Sequence, residues 1–338
     1  MTFPTDQRSI RAGGARAPAG ETPDLVELIE VACNRIYGLA RHTPVARLPR
    51  DPRVPTSVRA YAKLEHLQVT GSFKLRGATN KILGLSPPAA AAGVVTSSTG
   101  NHALGVAAAA QYRGIGAEVF LSSQVPEAKR KKIASYGARL RTVGDNPLDA
   151  EIAARAAAEE SGRTYVSPYN DREVVAGQGT IAVELMRQLG QVDAVFIAAG
   201  GGGLISGVGT YLRARSPETE IVGCWPENSR VLYECLRAGR IMEFPESYTL
   251  SESTAGGVEP GSITFELARA AMHRAILVSE DEILDAMKWA RQRDWVIEGS
   301  AGVAVAAFLR QAARYADKTV AVIFCGGNLS PEVQARLQ

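Results

Sequence analysis

The sequence predicts an α/β fold in which parallel sheets are covered by helices on both faces. Short apolar strands alternate with Ala-rich helices from residue 94 to residue 224, which is the pattern of parallel strands joined by helical crossovers. At 338 residues, 46% apolar and 22% charged, the chain fits one large or two modest domains of an ordinary soluble protein.

The elements follow in order. The first twenty residues carry Arg8, Arg11 and Arg16 among glycines and prolines, and read as a mobile tail outside the fold. Pro23, in a first turn, opens a helix over 24–39 with Leu25, Leu28, Ile29, Ala32 and Ile36 on one face and Cys33 as packing. Thr43-Pro44 ends it, and residues 58–64 read as a strand leading to Ser72-Phe73-Lys74-Leu75-Arg76-Gly77. That hexapeptide places Lys74 just inside a helix, with Gly71-Ser72 as turn and cap. After Pro87-Pro88 come strand 94–97, helix 103–112, strand 117–121, a helix from Pro126, strand 139–143 and helix 148–160. Strand 164–166, helix 174–189, strand 194–198, helix 204–213 and strand 221–224 continue the alternation. Residues 239–276 are broken by Pro245, Gly256-Gly257 and Pro260-Gly261 and read as a long irregular, functional loop. Helices 280–291 and 301–313 and a buried strand 319–324 complete the chain.

Composition narrows the function. A formal net charge of +3 with interleaved signs gives no case for nucleic acid or an anionic membrane. Cys33, Cys224, Cys235 and Cys325 form no Cys-x-x-Cys pair, so neither a disulfide framework nor a zinc site is expected. No apolar run is long enough to span a membrane and no signal peptide is visible, which points to the cytoplasm.

Three stretches carry chemistry. Gly200, Gly201, Gly202 and Gly203 follow a strand and precede a helix near Leu204, where bare backbone can wrap an anion at the positive end of a helix. The stretch lacks the third glycine of a dinucleotide fingerprint, and no nucleotide-triphosphate loop is present. Residues 97–102, Ser-Ser-Thr-Gly-Asn-His, stand at the carboxyl end of a strand and offer a collar for a small carboxylate. Together with the amine of Lys74 these stretches can hold a phosphorylated aldehyde cofactor whose carbonyl carbon the lysine attacks.

Ser72-Phe73-Lys74, Ser98-Thr99-Gly100-Asn101-His102, the tetraglycine and Cys325-Gly326-Gly327-Asn328, in this order, resemble the fold-type II pyridoxal-phosphate enzymes. The serine/threonine dehydratase and serine racemase group is the nearest, and the resemblance runs from about Leu25 onward. It implies a fold like that of the tryptophan synthase β chain, with two open parallel-sheet domains and the cofactor between them. Residues 21–90 and 170–338 would form the large domain, and 91–169 a smaller mobile one. Lys74 would hold pyridoxal 5'-phosphate covalently and then remove the substrate's α-proton. Gly200, Gly201, Gly202, Gly203 and Leu204 would bind the phosphate, Asn101 the ring hydroxyl and Phe73 the ring flank, with Cys325 facing the ring nitrogen. Ser98, Thr99, Asn101 and His102 would hold the carboxylate of a small amino-acid substrate, and the enzyme would be a homodimer. A thiol at Cys325 would leave the ring a milder electron sink than an aspartate does.

The implied reaction is β-elimination from a small β-hydroxy amino acid, L-threonine or L-serine by default, giving a 2-oxo acid and ammonia. The alternatives are a serine-type racemase, dehydration of 3-hydroxyaspartate or a bulkier β-hydroxy amino acid, a β-replacement synthase, and a metabolite-binding protein without turnover. The chain also departs from the family. Thr99 stands where dehydratases carry alanine and serine racemases a serine acid, so Thr99 is a candidate catalytic acid. Trp225 and Val231 replace the acidic ligands of the family's divalent-ion segment, so no metal is expected. Residues 256–261 differ from the family's substrate loop, which leaves the β-substituent open. The sequence ends soon after Asn328, so no appended regulatory domain, and no feedback inhibition by isoleucine, is expected.

Overall fold

Ten strands form two sheets in the computed structural model, which describes residues 24–337. The expected tail and Pro23 lie outside the described residues. In chain order the strands are β1 (Val45–Arg47), β2 (Arg59–Lys63), β3 (Val94–Ser97), β4 (Ala117–Leu121), β5 (Arg139–Thr142), β6 (Thr164–Tyr165), β7 (Ala194–Ala198), β8 (Glu220–Pro226), β9 (Arg274–Val278) and β10 (Thr319–Ile323). The larger sheet has the order β1-β2-β10-β7-β8-β9 and the smaller β5-β4-β3-β6. Every pairing is parallel except β1 with β2. β7 is buried at all five positions, as a central strand covered on both faces must be.

Some expectations need correction. The stretch 239–276 is not wholly irregular: after Gly261 it forms the helix Ile263–Ala271 and most of β9. A short helix not expected from the sequence, Pro87–Ala92, opens at Pro87-Pro88, where missing N–H groups cost nothing and Ser86 caps. Ser72 does not cap the lysine helix Lys74–Leu83. Phe73 is the capping position, while Ser72 pairs in a β-bridge with Gly326.

The lysine helix is wedged between the sheets. Ala78 and Ile82 join the apolar cluster of the small sheet, while Leu75 packs with Ile36, Ala40 and Ala108. Glycines let the neighbouring helices approach: a Cβ on Gly177 would lie 2.6 Å from the Arg76 carbonyl, and one on Gly105 3.1 Å from that of Lys74. Two residues past Lys74 the helix is tied to the large sheet by four buried charges. Arg76 donates to Glu65 at 2.7 and 2.8 Å and to Glu184 at 2.6 Å, and Glu184 also accepts from Lys63 on β2 at 2.5 Å.

Candidate active site

Lys74 and the end of β10 are sewn together by backbone. The Phe73 N–H donates to the Cys325 carbonyl at 3.0 Å and the Gly327 N–H to that of Gly71 at 2.9 Å, with Gly71 at φ +80° making the turn. This fixes the lysine at the carboxyl ends of the large sheet's strands, where open parallel sheets bind ligands. The Lys74 ammonium donates to the Pro168 carbonyl at 2.6 Å and lies 5.3 Å from the centre of the Phe73 ring. Burial pulls its pKa down to about 8, against a smaller upward pull from Cys325 and Glu298.

A cavity of about 580 Å³ opens in front of Lys74, lined by Ser98, Thr99, Asn101, His102, Ser253, Glu298 and Asn328 among others. Asn101 is the first residue of the helix Asn101–Arg113, which follows β3 after a tight turn in which Ser98 Oγ accepts the Gly100 N–H at 3.3 Å. The Asn101 amide donates to both oxygens of Glu298 at 2.9 Å and accepts from Asn328 Nδ2 at 2.7 Å. His102 is buried with Nε2 2.9 Å from the Val166 carbonyl, and burial first, then Lys74, pushes its pKa down to about 3. A neutral ring that donates from Nε2 keeps only an acceptor at Nδ1, so the side chain has no proton to offer a carboxylate. The His102 backbone N–H, at the helix N-terminus, is the group that can serve there.

The glycine run does not wall this cavity. It stands one residue behind it, between Tyr169, which follows Pro168, and Thr254, which lies between wall residues Ser253 and Ala255. A Cβ on Gly200 would lie 2.7 Å from the Thr254 carbonyl oxygen and one on Gly201 2.5 Å from the Tyr169 ring. Gly202, at φ +88°, caps the helix Gly203–Arg215, and Leu204 is buried beneath. Cys325 is also behind the wall. Its thiol, pushed up to about 12 by burial, lies 3.3 Å from Ser300 Oγ, which donates to Glu298 at 2.6 Å.

The family model described as "Pyridoxal-phosphate dependent enzyme" matches residues 36–326. The chain belongs to the pyridoxal-phosphate dependent enzymes. It is a fold-type II member of the serine/threonine dehydratase group. The L-threonine ammonia-lyase of Thermotoga maritima is 40% identical over 278 residues, 82% of this chain and 69% of the relative. The processed threonine deaminase isoform 2 of Solanum lycopersicum superposes with a TM-score of 0.88 at 28% identity, covering 98% of this chain and 97% of that one. Maize serine racemase gives 0.84 at 28% identity over 92% and 95%.

The residues of this pyridoxal-phosphate enzyme fit the cofactor. A depressed lysine amine suits attack on an aldehyde, and a cradle in which added Cβ atoms at Gly200 and Gly201 would collide with neighbours suits a phosphate held by backbone. Trp225 and Val231 are both buried in the large apolar cluster, and Arg230 pairs with Glu234 at 2.9 Å and lies 5.0 Å over the Phe244 ring. Glu298 and Ser253 on the cavity wall have no counterpart among the residues singled out from the sequence, and Asn328 stands there only as part of a motif. A glutamate at a helix-capping position, where serine or aspartate is preferred, was the available signal for the first.

Proposed function

We propose that the enzyme removes water from a small β-hydroxy amino acid, L-threonine or L-serine by default, and releases the corresponding 2-oxo acid and ammonia. The observation that carries this is the convergence of the Lys74 amine, Thr99 and the Asn101 helix N-terminus on one cavity. When bound, pyridoxal phosphate supplies the electron sink for the substrate's α-carbon. The chain's residues do the rest. Lys74 anchors the cofactor and takes the α-proton, a role suited to an amine whose pKa burial has drawn to about 8. Backbone N–H groups from Gly200 to Leu204 hold the phosphate, Asn101 the ring hydroxyl, Phe73 the flank of the ring, and Cys325 faces the ring nitrogen. Ser98, Thr99, Asn101 and the His102 backbone hold the substrate carboxylate at the start of a helix.

The residues around the small sheet form the mobile half of the site. Lys129–Glu252 at 3.2 Å, Lys132–Asn328 at 2.6 Å and Arg155–Glu259 at 2.6 Å reach across from it, and such partly exposed pairs hold weakly. Closure over the substrate would exclude water. No divalent ion is required at 225–231, because neither indole nor isopropyl ligates a hard cation. We read the enzyme as a cytoplasmic homodimer, as the family resemblance implies; among the described residues no helix is long and apolar enough to cross a membrane. A second reading, racemisation, is favoured by the Thr99 hydroxyl on the cavity wall.

The test is 2-oxo acid release from L-threonine, L-serine and threo-3-hydroxyaspartate, with Lys74→Ala as control. Release from one of them, abolished in the variant, is expected. No release by a cofactor-loaded wild type would overturn dehydration of these substrates, and D-serine formed from L-serine would establish the racemase.

A further inference from the structure

Glu298 is the residue on which the cavity's hydrogen bonds converge, and the reaction above leaves it without a task. It stands immediately before the helix Gly299–Gln311, 6% exposed. Oε1 accepts from Asn101 Nδ2 at 2.9 Å, from Ser253 Oγ at 2.6 Å and from Ser300 Oγ at 2.6 Å. Oε2 accepts from the same Asn101 nitrogen at 2.9 Å and from the Asn328 N–H at 3.2 Å. Its own N–H donates to the Gly326 carbonyl at 3.0 Å, and a Cβ on Gly326 would press within 2.6 Å of the carboxylate.

An ionised carboxylate only accepts, so it fixes the direction of each bond that reaches it. The Asn101 amide must turn its NH2 toward Glu298. The opposite orientation would set oxygen against oxygen there and NH2 against the Asn328 NH2 on the other side, which already donates at 2.7 Å. With one hydrogen shared between the two carboxylate oxygens, the second remains for another acceptor. Ser300 is constrained in the same way. Having given its hydrogen to Oε1, it has only lone pairs for the Cys325 thiol at 3.3 Å, so the S–H hydrogen points toward Ser300.

We propose that Glu298 is a positioning residue that sets hydrogen-bond direction at two edges of the bound cofactor. Its charge keeps the Asn101 NH2 available to the ring hydroxyl and draws the Cys325 hydrogen, through Ser300, away from the ring nitrogen. The inference rests on the assignment of Asn101 and Cys325 to those two edges. It also accounts for burying a carboxylate in the wall, since a neutral residue of equal size could donate as well as accept and would leave both directions undetermined.

The experiment compares holoenzymes carrying Glu298→Gln, Glu298→Asp, Ser300→Ala and, as reference, Asn101→Ala. Three quantities are measured without substrate: the visible spectrum of the bound cofactor, its dissociation constant and the thermal midpoint. Glu298→Gln is expected to shift the spectrum and to weaken cofactor binding about tenfold, the size of one lost charge-assisted hydrogen bond. Glu298→Asp should recover part of both, and Ser300→Ala should shift the spectrum alone. A lowered midpoint with wild-type spectrum and affinity in Glu298→Gln, while Asn101→Ala changes both, would overturn the proposal and leave the site reading intact. An Asn101→Ala enzyme indistinguishable from wild type would overturn the assignment of Asn101 and this inference with it. Where Glu298→Gln does not fold, an unchanged spectrum in Ser300→Ala overturns the link to Cys325.

Discussion

Replacing Arg76 by methionine tests whether the lysine helix is held by a balanced set of buried charges. The guanidinium faces Glu65 through two nitrogens and Glu184 through a third, and Arg76, Lys63, Glu65 and Glu184 are all essentially without solvent contact. Two cations answer two carboxylates, so methionine leaves one buried negative charge uncompensated while filling much of the same volume. Removing one partner of such a buried pair costs about 3–5 kcal/mol, whereas the intact pair contributes little net stability. The sign with pH follows from Glu184. Burial alone would raise its pKa, but Arg76 and then Lys63 overcome this and hold it below the ordinary carboxylate value. A carboxylate depressed in the folded state contributes stability above its unfolded pKa and loses it as pH falls through the folded one. Without Arg76 that contribution shrinks, so the deficit of Arg76→Met is largest at neutral pH and closes in acid. Urea titrations of the cofactor-free proteins at several pH values measure it. A loss under about 1 kcal/mol, the size of a surface pair, or a deficit that grows on acidification would refute the reasoning.

Two further outcomes follow from the site. In cofactor-free protein the folded pKa of Lys74 is lowered from 10.5 to about 8, so the cost of burying its charge is full below about 8 and gone above 10.5. Lys74→Met should therefore raise the thermal midpoint at neutral pH, with a gain that fades through that alkaline window; a gain constant with pH would mean that packing, not charge, is responsible. Gly201→Ala places a Cβ 2.5 Å from the Tyr169 ring, and the overpacking of about 1–3 kcal/mol must displace the loop or the ring. An equilibrium dialysis of pyridoxal phosphate should show weaker binding, and an unchanged dissociation constant would remove the loop from the phosphate site.

What the sequence revealed and what it hid have physical causes. β7 is an uninterrupted run of buried apolar residues between turns, and such a run can be read from local composition alone. β1 has only three residues and ends on the exposed Arg47, an edge strand whose existence depends on β2 beside it. The helix Ile263–Ala271 was masked by the breakers just before it, and β9 by its opening arginine, whose guanidinium is occupied by Glu220 and Tyr315 from elsewhere in the chain. The nucleophile and the glycine run were legible because backbone geometry demands particular residues at neighbouring positions. Glu298 was not, since its partners Asn101, Ser253 and Asn328 lie 197, 45 and 30 positions away. The same holds for Arg76 and Glu184, 108 positions apart. Convergence of that range is a property of the fold.

The place of β10 has a consequence for how the enzyme comes into being. The small sheet draws all its strands from one continuous stretch, so it can assemble while later segments are still being made. The large sheet cannot, because β10, its last strand in chain order, lies between β2 and β7 and is hydrogen-bonded to both. Until it arrives, β2 and β7 present open edges to one another and to any other chain, a vulnerable interval for a nascent protein. β10 also delivers Cys325, whose carbonyl ties down Phe73 beside the reactive lysine. Completion of the sheet and completion of the catalytic centre are thus one event in biogenesis, and a ribosome product stopped short of that strand would carry the nucleophile without the means to use it.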